Sequence, residues 1–135
     1  MTTERSVTPY RIQYEPRAAY LVATVEAEGD PSTVAAYYAE ACRAAADSGF
    51  RRLLVDSHTR RKNWSFDDAE YVATRVAGAA TAHGILAIAV VAHDPASNRD
   101  AENFAVQVFT NIATEGKYFS DDLAAAQAWI QTVSV

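Results

Sequence analysis

The stretch Ile-Leu-Ala-Ile-Ala-Val-Val-Ala at residues 85–92 is the most apolar segment of the chain and decides the fold. A continuous apolar run of this length is typical of a strand buried on both faces. The run Arg-Leu-Leu-Val-Asp at residues 52–56 has the same character, and we expect that strand to end at Asp56. Strands buried on both faces predict a parallel sheet with helices packed against it.

Three shorter segments complete the predicted sheet. Residues 10–14 and 20–25 are rich in aromatic and β-branched side chains and are separated by Glu15-Pro16-Arg17, which favours a hairpin. The first of these alternates apolar and polar residues, as an edge strand does. Residues 117–119 form a short fifth strand.

Four helices are predicted between and after these strands. The first three are expected to end at Gly49, Gly84 and near Gly116. The second opens with Ser65-Phe66-Asp67-Asp68, the pattern of a capping box, and Ser120 or Asp121 is expected to cap the fourth. In the first helix Tyr37 and Tyr38 are adjacent, so we expect one of them to be partly exposed.

The resulting order is β-β-α-β-α-β-α-β-α, which predicts one α/β domain over residues 8–133 after a tail at residues 1–7. Each strand-helix-strand unit crosses over right-handedly to a parallel neighbour. We therefore expect a mostly parallel five-stranded sheet with an antiparallel N-terminal edge strand, packed by four helices.

Composition narrows the function. The chain has 135 residues, of which 50% are hydrophobic and 21% charged, with a formal net charge of -5. These values argue against intrinsic disorder and against general electrostatic binding to nucleic acid. No apolar run approaches the roughly 20 residues that span a bilayer, and the polar start of the chain favours a cytoplasmic protein. The sequence contains no Gly-rich phosphate-binding loop, no Gly-x-Ser-x-Gly motif of serine hydrolases and no Cys-x-x-Cys pair. We therefore expect no cofactor.

The C-terminal run carries a family resemblance. Phe109, the segment Tyr118-Phe119-Ser120-Asp121-Asp122 and then Ala128-Trp129-Ile130, together with the element order, resemble the STAS / SpoIIAA-like family of small bacterial domains. The closing pattern is similar to the SpoIIAA-like branch, which shares its fold with CRAL-TRIO lipid-binding domains. The resemblance implies a regulatory module related to anti-sigma factor antagonists.

That family also carries a phosphorylated Ser in an Asp-Ser-Ser/Thr-Gly-like turn that opens the second helix. Here the turn is Asn63-Trp64-Ser65-Phe66-Asp67-Asp68, so Ser65 stands near the corresponding place without the surrounding motif. The two aspartates would repel an added phosphate, which argues against phosphoryl switching.

Unusual residues follow the third and fourth strands, whose carboxyl ends are where such sheets meet ligands. The predicted binding residues are His58, Arg60, Arg61, Trp64, Ser65 and His93. Basic and aromatic residues on an acidic chain favour an anion or an acidic partner, and the alternative is a solvated loop.

His58 and His93 are expected to approach each other if their strands are neighbours. With Asp56 or Asp94 they would suit a general base or a metal site, but their spacing matches no local ligand motif. The sequence therefore predicts no catalytic residue and no metal ligand.

The third helix has a broad apolar surface. Its candidate interface or ligand-pocket residues are Phe104, Val108, Phe109 and Ile112. Such width indicates deep burial, a homodimer face or a pocket for a hydrophobic ligand.

The functional hypotheses follow in order. The first is a non-enzymatic regulatory or protein-interaction module that acts on a protein partner or as a homodimer. The alternative is a carrier of a small hydrophobic or lipid-like ligand. A small enzyme using His58 or His93 is the weaker alternative.

Overall fold

Five strands form one sheet. They are β1 (Tyr10–Pro16), β2 (Leu21–Glu28), β3 (Arg52–Arg60), β4 (Ala87–Ala92) and β5 (Glu115–Ser120). Their order in the sheet equals their order along the chain, β1 is antiparallel to β2, and every other pair is parallel. The computed structural model describes residues 9–60, 64–93, 99–112 and 114–135. The predicted α/β architecture, including its antiparallel edge strand, is confirmed.

Four helices cover the two faces of this sheet unequally. They are α1 (Pro31–Asp47), α2 (Phe66–His83), α3 (Arg99–Ile112) and α4 (Leu123–Thr132). Each crossover advances one strand in the same direction, so connections of one hand place α1, α2 and α3 together on one face. The second face is covered by α4, which at ten residues is about 15 Å long.

Strand alternation divides the core into two layers. Leu53, Val55 and Val90 pack under α1, α2 and α3, whereas Leu54 and Val91 pack against α4. All six residues of β4 are buried, as expected of a strand covered on both sides.

The ends of α1 and α2 follow local sequence signals, whereas α3 ends at Ile112 and the expected stop at Gly116 lies inside β5. Ser65 caps α2 in a capping box with Asp68, and Gly84 ends the helix in the left-handed conformation at a φ of 68°. The expected cap of α4 was wrong by one or two positions, because Asp122 accepts the hydrogen bond from the Ala125 amide.

The predicted end of β3 at Asp56 was wrong. The strand continues to Arg60, because β2 also extends to Glu28 and supplies parallel partners for His58 and Thr59. Polar side chains are tolerated in this extension because it lies at the carboxyl edge of the sheet, where His58 is exposed to solvent. The extension places His58 on a strand rather than in a loop, which fixes the face on which its side chain lies.

The expected exposure of Tyr37 or Tyr38 was also wrong, since both are buried. Their rings stack with centroids 5.1 Å apart. The Tyr37 hydroxyl lies 3.1 Å from the Ser57 hydroxyl, so the buried Tyr37 hydroxyl has a hydrogen-bond partner within the core. Because α1 packs against both the sheet and α2, its buried arc is wide enough for two adjacent residues.

Candidate functional site

Two histidines and an aspartate meet at the carboxyl edge of the sheet, on the face that α4 partly covers. Asp56 and His58 are two residues apart on β3 and therefore lie on one face. Ser57 pairs with Ala92 at the end of β4, so the next residues along, His58 and His93, are neighbours. The predicted approach of His58 to His93 is thus observed.

His93 lies between two carboxylates. Its Nε2 is 2.7 Å from Asp56 Oδ1, and its Nδ1 is 2.6 Å from Asp121 Oδ1. An ionised carboxylate only accepts hydrogen bonds, so both ring nitrogens donate when the imidazole carries two protons. Burial lowers the pKa of His93, but the hydrogen bonds and negative charges of Asp121 and Asp56 outweigh burial and raise it overall.

His58 completes the group that we call the His–Asp cluster, defined as Asp56, His58, His93 and Asp121. The ring of His58 stacks on that of His93, with centroids 4.4 Å apart and planes inclined by 12°. Its Nε2 lies 3.4 Å from Asp56 Oδ2. The side chain of His58 is 45% exposed and that of Asp56 only 11%, so Asp56 is the fixed member and His58 has room to turn.

Asp121 is the residue of this cluster that the sequence prediction missed. It follows β5 directly, and its backbone N–H donates to the Ala92 carbonyl at 2.8 Å. Its φ of 54° lies in the left-handed region, which Asp tolerates better than most residues. The available signal was its position at a third consecutive strand end, but it was interpreted as a helix cap.

Trp64 and Ser65 do not join the His–Asp cluster. Trp64 packs against the core layer under α1, α2 and α3, and its indole Nε1 donates to the Gly29 carbonyl at 2.6 Å. Ser65 is engaged in the cap of α2. The predicted site residues Arg61 and the side chain of Arg60 lie outside what the structure describes, as does Asp94.

A small cavity lies on the opposite face of the same sheet edge. It measures about 40 Å³, and its lining includes Tyr37, Ser57, Thr59, Trp64 and Phe109. A site for a drug-sized ligand occupies about 300–1,000 Å³, whereas a single water needs only about 10–15 Å³. In this conformation the cavity holds water-sized molecules and has no room for an acyl chain.

The apolar surface of α3 is largely used by the core. Phe109 is buried and packs over Gly116 of β5, and Phe104 and Val108 are half-buried against the same layer. The side chain of Ile112 lies outside what the structure describes. Packing inside the chain accounts for the described part of the apolar surface that suggested a homodimer, and self-association stays a prediction.

An exposed aromatic contact links the start of α2 to the second turn of α3. Phe66 is 62% exposed, and its ring meets that of Phe104 edge-on with centroids 5.0 Å apart. We call Phe66 and Phe104 the aromatic pair. An exposed Phe in the first turn of a helix adds little to the core, so its burial against another molecule would be favourable.

Comparison with known proteins identifies no family for this chain. Neither protein-family models nor curated proteins match the chain. The class that the fold defines is a small α/β domain with four helices on a five-stranded, mostly parallel sheet. Among the described helices, none combines the length and apolarity required to cross a membrane.

The His–Asp cluster is suited to more than one kind of chemistry. With a proton on each ring nitrogen, His93 cross-links the interior of β3 to the ends of β4 and β5 through two carboxylates. With the rings neutral, the imidazole nitrogens and the Asp56 carboxylate offer ligand atoms of the kind that transition metals take. Cys42 takes no part, because it is fully buried in α1 and burial raises the pKa of its thiol to about 12.

Proposed function

We propose that this protein is a non-enzymatic regulatory or protein-interaction module, resembling STAS domains, that binds its partner through the aromatic pair. The observation that supports this proposal is the 62% exposure of Phe66 in edge-on contact with Phe104. Aromatic side chains are enriched among the residues that dominate binding energy in protein interfaces.

The neighbourhood of the aromatic pair supports this position. Trp64 lies two residues before Phe66 and is only half-buried, and its hydrogen bond to Gly29 fixes the segment that leads into α2. The capping box of Ser65 and Asp68 then sets the direction of the first turn. A rigid backbone lowers the entropic cost of binding, which favours Phe66 as an anchor.

The charge of the sequence indicates the partner's chemistry. Arg60, Arg61 and Lys62 immediately precede this segment, and Arg99 begins α3, in a chain whose net charge is -5. Local basic residues on an acidic protein favour an acidic partner and repel basic ones. The partner is therefore a protein segment that carries an apolar side chain for the aromatic pair and acidic residues for the basic residues around it, placed away from Asp67 and Asp68.

The remaining parts of the proposal concern setting and assembly. We also propose that the module is a bacterial protein, as the resemblance implies, that it acts in the cytoplasm, as the polar start of the chain favours, and that it forms a homodimer. The carrier hypothesis now requires movement of α1, α2 or α3, since the cavity of about 40 Å³ must widen before an acyl chain enters.

Photo-crosslinking tests the proposed interaction. A photo-reactive amino acid replaces Phe66 in one variant and Leu86, which is 40% exposed at the amino edge of the sheet, in a matched control. In cells of the source organism we expect one acidic protein to cross-link at position 66 and not at position 86. Charge reversal of Arg60 and Arg61 is expected to remove the product. Equal cross-linking at both positions, or an unchanged product after charge reversal, would exclude this binding surface.

A further inference from the structure

We propose that Asp56, His58 and His93 bind a divalent transition-metal ion of the zinc type, with Asp121 holding His93 in position. This site is separate from the aromatic pair, because it lies on the other face of the sheet. It also goes against the sequence prediction of no metal, which rested on the lack of a local ligand motif.

The geometry brings three ligands, two from β3 and one from the end of β4, close to one point. One ligand atom from each of Asp56, His58 and His93 can be chosen so that all three lie within 4.8 Å of one another. Zinc bonds of about 2.0–2.2 Å in a tetrahedral site place ligand atoms about 3.3 Å apart. Asp56 Oδ1 and His93 Nε2, which are 2.7 Å apart, must therefore separate slightly, while the widest of the three separations, at up to 4.8 Å, must close by about 1 Å or more. The 45% exposed imidazole of His58 can supply that movement by turning off the ring of His93.

The donor set selects the kind of ion. Two imidazoles and one carboxylate suit zinc and its neighbours in the first transition row, whereas calcium and magnesium prefer oxygen ligands alone. Three protein ligands leave a fourth position for water in a tetrahedral site. Since His58 faces solvent at the open end of the sheet, that position is accessible.

Asp121 supplies the outer interaction that metal-binding histidines usually have. When His93 Nε2 turns from Asp56 Oδ1 to the ion, His93 Nδ1 still donates to Asp121 Oδ1, now 2.6 Å away. A carboxylate in this position fixes the ring tautomer and strengthens the ligand. The left-handed backbone of Asp121 and the hydrogen bond from its N–H to the Ala92 carbonyl hold that carboxylate over the end of β4.

The charge balance also favours a divalent cation. Asp56 and Asp121 together carry two negative charges when ionised, and neutral His58 and His93 add none. A doubly charged cation neutralises the cluster, whereas one protonated histidine leaves it with one net negative charge. The partly buried Asp56 gains most from this neutralisation, because burial makes an uncompensated charge costly.

Zinc titration of the whole chain, prepared without a polyhistidine tag and freed of metal by a chelator, tests the site. The matched variants are His58→Ala and His83→Ala, since His83 is the third histidine of the chain and lies in the last turn of α2. We expect one zinc ion per chain in the wild type and in His83→Ala. In His58→Ala we expect affinity to fall by more than about tenfold. Asp121→Asn should weaken binding by about 10–100-fold without changing the stoichiometry.

Cobalt provides a second readout that does not depend on affinity alone. Bound Co²⁺ should give visible absorption typical of nitrogen and oxygen ligands in the wild type, and this absorption should be absent from His58→Ala. Circular dichroism checks that His58→Ala folds, which its exposure leads us to expect. Equal zinc binding by the wild type and His58→Ala, loss of binding in His83→Ala, or no binding at micromolar zinc would each overturn the proposal.

Discussion

The Nε2 atom of His93 lies 2.7 Å from the Oδ1 atom of Asp56, which joins the end of β4 to the interior of β3. The two residues are 37 positions apart in the chain. Asp56 is buried, so this contact satisfies a carboxylate that would otherwise be costly to bury. The same ring holds Asp121 on its other side, and the strengths of the two contacts are expected to differ.

The coupling of His93 to Asp56 should exceed its coupling to Asp121. The Asp56 side chain is 11% exposed and the Asp121 side chain 79%, so solvent screens the second pair. In double-mutant cycles with His93→Gln, we expect about 1–3 kcal/mol for Asp56→Asn and under about 1 kcal/mol for Asp121→Asn. Urea unfolding in the presence of a chelator measures both values. Equal coupling energies would show that burial of the carboxylate does not set the strength of its contact with His93.

The contribution of His93 to the stability of the metal-free protein should fall as the pH rises above about 6.5. The pKa of His93 is raised in the folded state, whereas an unfolded histidine has a pKa of about 6.5. The stabilisation is therefore fully present below about pH 6.5 and is lost as the pH rises through the folded pKa. Unfolding of the wild type and His93→Gln across this range, with chelator present, should show their difference shrinking. A difference that stays constant or grows would contradict the charged bridge.

Gly116→Ala should destabilise the protein. A Cβ atom at position 116 would lie 2.2 Å from Phe109 Cε1, and Phe109 is buried between α3 and the sheet. Overpacking of this kind costs about 1–3 kcal/mol. Thermal unfolding measures the loss, and Phe109→Leu in the same chain should recover part of it.

Gly78→Ala is the matched control, because it lies inside α2 with open space around it and should stabilise by about 0.5–1 kcal/mol. A neutral effect of Gly116→Ala would show that Phe109 moves freely.

Ser65→Ala should lower the free energy of unfolding by about 1 kcal/mol, because the Ser65 hydroxyl accepts the Asp68 amide in the cap of α2. Ser65→Asp should lie within about 0.5 kcal/mol of the wild type, since aspartate caps helices equally well. Chemical denaturation of the three proteins distinguishes these values. A large loss in Ser65→Asp would mean that Asp67 and Asp68 repel a negative charge strongly at this position.

Much of the fold could be predicted because its signals are local. The apolar runs at 52–56 and 85–92, the capping box at Ser65 and the stop at Gly84 each depend on neighbours within one turn or one strand. The strand-helix alternation then restricts the topology, since parallel strands require right-handed crossovers. The extension of β3 was missed because polar residues continue a strand only where a partner, here β2, lies beside them.

The candidate site could be predicted only in part. Alternation along β3 places Asp56 and His58 on one face, and neighbouring strands bring His93 to them, so the sequence contained that pairing. It also grouped Trp64 with the histidines, because loop residues carry no alternation that tells one face of a sheet from the other. Trp64 in fact packs under α1, α2 and α3.

By itself, the sequence determined the element order, the buried strands and the ends of most helices, because hydrophobic period and capping act over short distances. Only the tertiary structure decided that Asp121 completes the His–Asp cluster, that both Tyr37 and Tyr38 are buried, and that α4 leaves His58 open to solvent. These features depend on strand register and on which face each helix covers. Register and helix placement are set by contacts between segments far apart in the chain, so no local sequence pattern predicts them.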